Sequence, residues 1–121
     1  MVAFLDHRPV FKGHTLVVPR EHIVTLSDLP TRLMVPVFGA AQRVATAVVD
    51  GLGADGSWVT MNNVVSQAVP HLHVHVVPRR RKDGLRGFYW PRTRYESDAE
   101  MAETAAKLRD AIARAGGTMA E

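Results

Sequence analysis

The run Pro70-His71-Leu72-His73-Val74-His75-Val76-Val77-Pro78 sets three of the chain's six histidines at alternate positions between prolines. Successive side chains of a β-strand leave on opposite faces. The alternation therefore predicts a strand with His71, His73 and His75 on one face and Leu72, Val74 and Val76 packed beneath. Near neutral pH an imidazole can be a nucleophile, a proton donor or a metal ligand. Packing alone is a poor reason for such a row, because charged imidazoles repel and buried unpaired ones cost free energy. Two chemistries remain. Histidines two apart on a strand can share a zinc ion, with His14 or an acid as a further ligand. However, His71 and His75 lie about 13 Å apart along a strand at ~3.3 Å per residue, which disfavours one ion for all three. Nucleophilic catalysis fits better: a neutral ring nitrogen attacks phosphorus, and water later cleaves the phosphohistidine, dividing one hard step into two. His73, with an imidazole on either side to bond phosphate oxygens or protonate a leaving group, is the natural attacker. Gly13-His14, Asn62-Asn63 and Gln67 add polar groups suited to phosphate oxygens. No metal or other cofactor is expected if the histidines, backbone amides and Gln67 stabilise the charge.

The rest of the chain must hold this row. Residues 2–5 read as a short strand ending at the turn residues Asp6 to Pro9, and Gly13 opens a second strand over 14–18, stopped at Pro19. Ser27-Asp28 reads as the start signal of a helix over roughly 30–50. Met34, Val37, Phe38, Ala41, Ala45 and Val48 recur on its buried face, and Pro36 either kinks it or marks its true start. Gly51, Gly53 and Gly56 connect it to a strand over 58–61, and the loop 62–68 leads into the histidines. Beyond Pro78 a basic loop carries the aromatic patch Phe88-Tyr89-Trp90-Pro91. A last helix runs from the capping box Ser97-x-x-Glu100 to near Gly116-Gly117, with Met101, Ala105, Leu108, Ile112 and Ala115 as its apolar stripe. The expected architecture is one α+β domain over residues 1–121, an antiparallel sheet with two main helices.

Composition narrows the setting. At 121 residues, 46% hydrophobic and 22% charged, the chain has the make-up of a soluble globular domain. No run approaches the ~18 apolar residues of a membrane span, so no membrane partner is expected. The first residues lack the basic start of a signal peptide. With no cysteine, a disulfide or thiolate zinc site is impossible, and a cytoplasmic location fits. Seven of the fifteen basic side chains fall between Arg79 and Arg94, where Asp83 is the only acid. Such a cluster could attract a phosphorylated ligand or nucleic acid, but charge runs usually mark a solvated loop, and with no nucleic-acid module in the sequence no nucleic-acid partner is expected.

Together these residues resemble the histidine triad (HIT) family, whose signature is His-x-His-x-His followed by two apolar residues. The resemblance runs from Val2 to about Arg80, and more loosely beyond. It implies a HIT-like fold and a purine nucleotide or nucleotide conjugate as ligand. Val2-Ala3-Phe4-Leu5-Asp6 is similar to the family's strand ending in an acid that holds the ribose hydroxyls, which implies Asp6 as ribose binder with His7 beside the base. Gly13 to Pro19 matches the segment whose histidine supports the triad, and this implies that role for His14. Asn62 or Asn63 and Gln67 match residues that contact the α-phosphate and ribose. Of the triad, His73 would become nucleotidylated, His75 would bond the phosphate and leaving group, and His71 would orient its neighbours together with His14. A transferase branch has glutamine at the third position, so His75 favours hydrolysis. The family is usually homodimeric, through a sheet edge and a helix. The chain departs from it in a shorter N-terminal segment, which in the family often carries cysteines. Ser66 stands where glycine usually precedes the glutamine, and Ala68 where phosphoramidase members often have a hydroxyl. The expectation is a hydrolase of nucleoside phosphoramidates or dinucleoside polyphosphates working through a nucleotidyl-His73 intermediate. The rival is a nucleotide-binding module of little turnover acting through a protein partner.

Overall fold

A computed structural model describes residues 1–86 and 92–116. The aromatic patch 88–91 and Gly117 lie outside the described residues. The chain divides into two compact units, Met1–Leu85 and Arg86–Glu121.

In the first unit four strands, β1 (Val2–Leu5), β2 (Thr15–Val18), β3 (Gly56–Thr60) and β4 (Val74–Arg79), form one antiparallel sheet in the order β1-β2-β4-β3. A helix, α1 (Thr31–Leu52), connects β2 to β3 and packs on β2, β3 and β4. Residues directly across an antiparallel ladder share a face. Val17↔Val74 and Thr15↔Val76 therefore put Val17, Val74 and Val76 on one side, and all three are fully buried with Val37 and Ala41 of α1. Each such valine contributes about 1.5–3 kcal/mol by leaving water. Phe4↔Leu16, Leu16↔His75 and Thr60↔His75 run along the opposite face. The site is built there.

The histidine strand is shorter than its alternation predicts. β4 begins at Val74, so His71 and His73 lie in the lead-in and only His75 is within the ladder. The β2 ladder ends at Val17↔Val74, two residues before Pro19, which has no N–H to donate. Leu72 N–H turns instead to Ile23 O at 2.6 Å. Burial still alternates: Leu72, Val74 and Val76 are buried, and His71, His73 and His75 are half-buried. At the other end β4 runs through Pro78, opposite Ser57, because β2 pairs only as far as Val76 and requires nothing of Pro78.

Ser27-Asp28 does not open α1. Both belong to a 3₁₀ turn, Leu26–Asp28, where the Asp28 carboxylate accepts from Thr25 N and Oγ1 at 3.1 and 2.8 Å. Pro30 caps α1, and Pro36 lies inside the helix rather than at its start. Of the expected buried stripe, Val37, Ala41 and Val48 are buried, whereas Met34 and Phe38 are 42% and 43% exposed. By length and mean hydropathy the 22-residue α1 could cross a membrane, but here it is the core helix of the sheet. Gly53, with φ +71°, ends it in the left-handed conformation, and Arg80 Nη2 caps Leu52 O at 2.6 Å.

The second unit holds α2 (Asp98–Arg114), whose start is as expected: the Ser97 hydroxyl accepts Glu100 N–H at 3.1 Å. Along its stripe Ala105 and Ile112 are half-buried, and Met101 and Leu108 are exposed.

Candidate active site

Asp6 and His14 continue the β1–β2 ladder beyond its last strand pair, with Asp6 N–H bonded to His14 O at 2.9 Å. The intervening loop turns back at Gly13, whose φ of +103° suits only glycine. A Cβ there would sit 2.5 Å from Leu52 Cδ1 and 3.0 Å from Pro78 Cγ. This turn delivers His14, 4% exposed, against His75.

Hydrogen-bond partners fix the tautomer of each imidazole. Val10 N–H donates to His14 Nδ1 at 3.1 Å, so the His14 proton is on Nε2. That Nε2–H donates to His75 Nδ1 at 3.0 Å, which places the His75 proton on Nε2. His73 Nδ1–H donates to His71 O at 2.7 Å, leaving the Nε2 of His73 unprotonated. His71 Nε2–H donates to Pro19 O at 2.8 Å, and its Nδ1 accepts from His22 Nδ1–H at 3.2 Å. The rings of His73 and His75 meet edge to face, with centroids 4.9 Å apart. The arrangement leaves His73 with a bare nitrogen and the neighbouring His75 ring with an N–H donor, the two groups that attack on an electrophile with stabilisation of the developing charge requires.

Electrostatics favour the neutral form of the inner histidines. Burial pushes His14 below the ordinary histidine range, with the Asp6 carboxylate opposing. Burial does the same to His75, helped by His73 and His14 and again opposed by Asp6. The Arg8 N–H, bonded to Asp6 Oδ1 at 2.9 Å, holds the Asp6 carboxyl below its usual range, and His14, His7 and His75 add to this.

A cavity of about 390 Å³ opens over this face. Phe4, Leu5, Leu16, Val18 and Val69 give it apolar walls, and Asp6, His7, His71 and His73 give it polar ones. Four of the residues picked from sequence thus share one chamber, and His75 and His14 adjoin it through His73. Asn63 and Gln67 are engaged elsewhere. Asn63 Oδ1 accepts Leu26 N–H at 2.7 Å, and the Gln67 carboxamide accepts Val64 N–H at 3.0 Å and donates to Val24 O at 2.6 Å. Asn63 ties the loop 62–68 to the first residue of the 3₁₀ turn and Gln67 ties it to the segment just before that turn, and Asn62 is exposed. Within this loop Val64 and Ser66 have φ of +69° and +60°. Glycine adopts this left-handed backbone at least cost, and Ser66 holds it here with a side chain.

His22 is the site residue that sequence reasoning missed. Its only signal is being a histidine after Pro19-Arg20-Glu21, and its partner is 49 residues away. The basic cluster also proves more ordered at its start than a solvated loop. Arg79 pairs with Asp83 at 2.6 Å, and Asp83 also accepts the N–H groups of Arg80 and Leu85 at 3.0 Å. The Arg79 bond first, then these N–H groups, bring the Asp83 carboxyl down to about 2.

Among the described residues, Asp6, His14 and His75 form the one group whose potential metal-ligating atoms lie within 4.8 Å of one another. Both His14 nitrogens are already bonded, to Val10 N–H and to His75. An ion there would have to break one of those bonds.

Comparison with known proteins places the fold and motif together. The HIT domain family model matches residues 1–82. An uncharacterized HIT-like protein of Mycobacterium tuberculosis is 36% identical over 115 residues, covering 93% of this chain and 78% of its own length. An adenosine 5'-monophosphoramidase of Schizosaccharomyces pombe is 32% identical over 92 residues, 74% of this chain and 66% of that protein. The crystal structure of a HIT family member from Bacillus subtilis superposes with a TM-score of 0.79 at 31% identity, covering 89% of this chain and 79% of that one. With its alternating histidines leading into the strand β4 of an antiparallel sheet, this chain belongs to the HIT domain family, whose members include nucleotide hydrolases.

Proposed function

We propose that the chain hydrolyses a bond between the α-phosphate of a nucleoside monophosphate unit and a leaving group. The bond is of the phosphoramidate or dinucleoside polyphosphate type. His73 Nε2 attacks phosphorus and displaces the leaving group, and water then releases the monophosphate from nucleotidyl-His73. His75 Nε2–H supports the phosphoryl oxygens and the leaving group, His71 holds His73 in its tautomer, and His14 does the same for His75. Asp6 receives the ribose hydroxyls, and His7 and the apolar wall receive a purine. The observation that carries this reading is the 2.7 Å bond from His73 Nδ1 to His71 O, which leaves the opposite nitrogen bare in a ring that lines the cavity with Asp6. We also propose a homodimer, supported by β3 as an edge strand with exposed Val59 and by exposed Val35 and Phe38 on α1.

A panel of adenylyl and guanylyl phosphoramidates and dinucleoside polyphosphates, followed by nucleoside monophosphate release, tests the proposal. Quenched reactions should carry a nucleotidyl group on His73. His73→Ala should lose about 10³-fold or more in turnover yet bind nucleotide within about tenfold of wild type. Normal turnover by that variant ends the assignment. Nucleotide binding without release by wild-type protein would favour the binding module, a reading supported by the engagement of Asn63 and Gln67 away from the cavity.

A further inference from the structure

The two oxygens of Asp6 have different neighbours. Oδ1 accepts the Arg8 N–H at 2.9 Å, whereas Oδ2 stands 3.9 Å from His14 Nδ1. That nitrogen is the outer end of a pair of imidazoles in series, because His14 Nε2–H bonds His75 Nδ1 at 3.0 Å. The inner end is His75 Nε2, in a ring set edge to face with the nucleophile's. The side chains of Asp6 and His14 are only 21% and 5% exposed, so water screens the charge between them weakly. Binding ribose accounts for an acid beside the cavity. It does not account for the acid's second oxygen lying beside a buried imidazole that is not among the cavity's lining residues.

We propose that Asp6 is also a positioning residue for a proton relay, Asp6–His14–His75, that delivers a proton to the leaving group. The inference rests on the reading of His73 as nucleophile. When His73 Nε2 forms its bond to phosphorus, the bond from phosphorus to an amine leaving group breaks, and the amine nitrogen takes the proton of His75 Nε2. The Nε2 proton of His14 moves to His75 Nδ1, and a proton from solvent arrives at His14 Nδ1. One proton enters and one leaves. His14 Nδ1 can be charged only while a counter-charge faces it, and Asp6 Oδ2 reaches hydrogen-bond distance by closing about 1 Å. Val10 N–H then loses its acceptor, which water replaces because Val10 is 47% exposed. The charged and titratable groups facing the relay are Asp6 and His75 at His14, His73 and Asp6 at His75, and His7 at Asp6.

Asp6→Asn keeps an acceptor for Arg8 N–H and removes the charge. The substrates are adenosine 5'-alkylphosphoramidate, whose amine must be protonated to leave, and adenosine 5'-(4-nitrophenyl phosphate), whose nitrophenolate leaves without a proton. Each is used in ribo and 2'-deoxyribo form. The ratio of kcat on the amidate to kcat on the nitrophenyl ester should fall at least about tenfold in Asp6→Asn, in both sugar series. An equal loss on both leaving groups, confined to the ribo series, overturns the relay and leaves the proposed function standing. No release by the wild-type protein overturns both. A second measurement, histidine ¹⁵N NMR of the protein without substrate, should show the His14 proton on Nε2 and a lower acid midpoint for the His14–His75 pair in Asp6→Asn. An unmoved midpoint overturns the relay.

Discussion

Two pairs of imidazoles flank His73, alike in geometry and different in setting. His14 and His75 share a 3.0 Å hydrogen bond with ring centroids 5.2 Å apart, and His22 and His71 share one of 3.2 Å with centroids 5.3 Å apart. The first pair lies behind the nucleophile, with His14 buried and both rings pushed toward the neutral form by burial. In the second, His22 is exposed, and Pro19 O anchors His71. The same bond therefore has different consequences. Inside, losing a partner strands a polar atom; at the surface, water takes the partner's place. The inner pair carries the energy, and the outer pair adds orientation.

Breaking the inner pair should have the largest effect on stability. His14→Ala leaves His75 Nδ1 without its donor and should cost about 1–3 kcal/mol, read as a lower denaturation midpoint in urea. A cost as small as that of a surface substitution would dissolve the distinction between the pairs. Acid sharpens it next. Both inner rings have folded-state pKa values below the ordinary 6.5, so the unfolded chain binds more protons in the window just below that value. Their contribution to stability is complete above pH 6.5, declines as pH falls through it, and levels off below the folded values. Each proton contributes at most about 1.4 kcal/mol per pH unit. The wild type should lose stability between pH 7 and 5 more steeply than His14→Ala, and parallel curves would contradict this account.

The turn behind the pair can be tested without touching an imidazole. Gly13→Ala meets both a forbidding φ and Pro78, and should cost on the order of 1 kcal/mol, visible as a lower Tm. If that substitution is tolerated at full stability, the turn does not hold His14 as described. The smallest effect belongs to the outer pair: His22→Ala should change stability by less than about 0.5 kcal/mol. A loss equal to that of His14→Ala would make the two pairs equivalent.

Much of the site is legible along the chain. The period of two in His71, His73 and His75 over Leu72, Val74 and Val76 is a local property of extended backbone, and the burial pattern follows it even where the ladder has ended. Asp6 and His14 stand out as polar residues at the ends of short, mostly apolar runs, and they are neighbours because β1 and β2 pair there. The helix start is not legible in the same way, because Ser27-Asp28 serves a 3₁₀ turn equally well and local capping chemistry does not distinguish the two.

Asn63 and Gln67 mark where sequence reading stops. An amide side chain suits a phosphate oxygen and a backbone carbonyl alike, and only the position of residues 24–26 decided which groups these two meet in this structure. The sequence by itself determined which residues could do chemistry and which way the row would face, since strand periodicity needs no distant partner. The tertiary structure decided how the imidazoles are linked to one another. The tautomers of His75 and His71 depend on partners brought close by sheet register and loop path, 61 residues away for His14 and His75, 49 for His22 and His71, and 52 for His71 and Pro19, whereas His71 O and Val10 N–H set those of His73 and His14 from two and four residues away. Hydrogen bonds are directional over about 3 Å, and no local pattern encodes such a distance between segments so far apart.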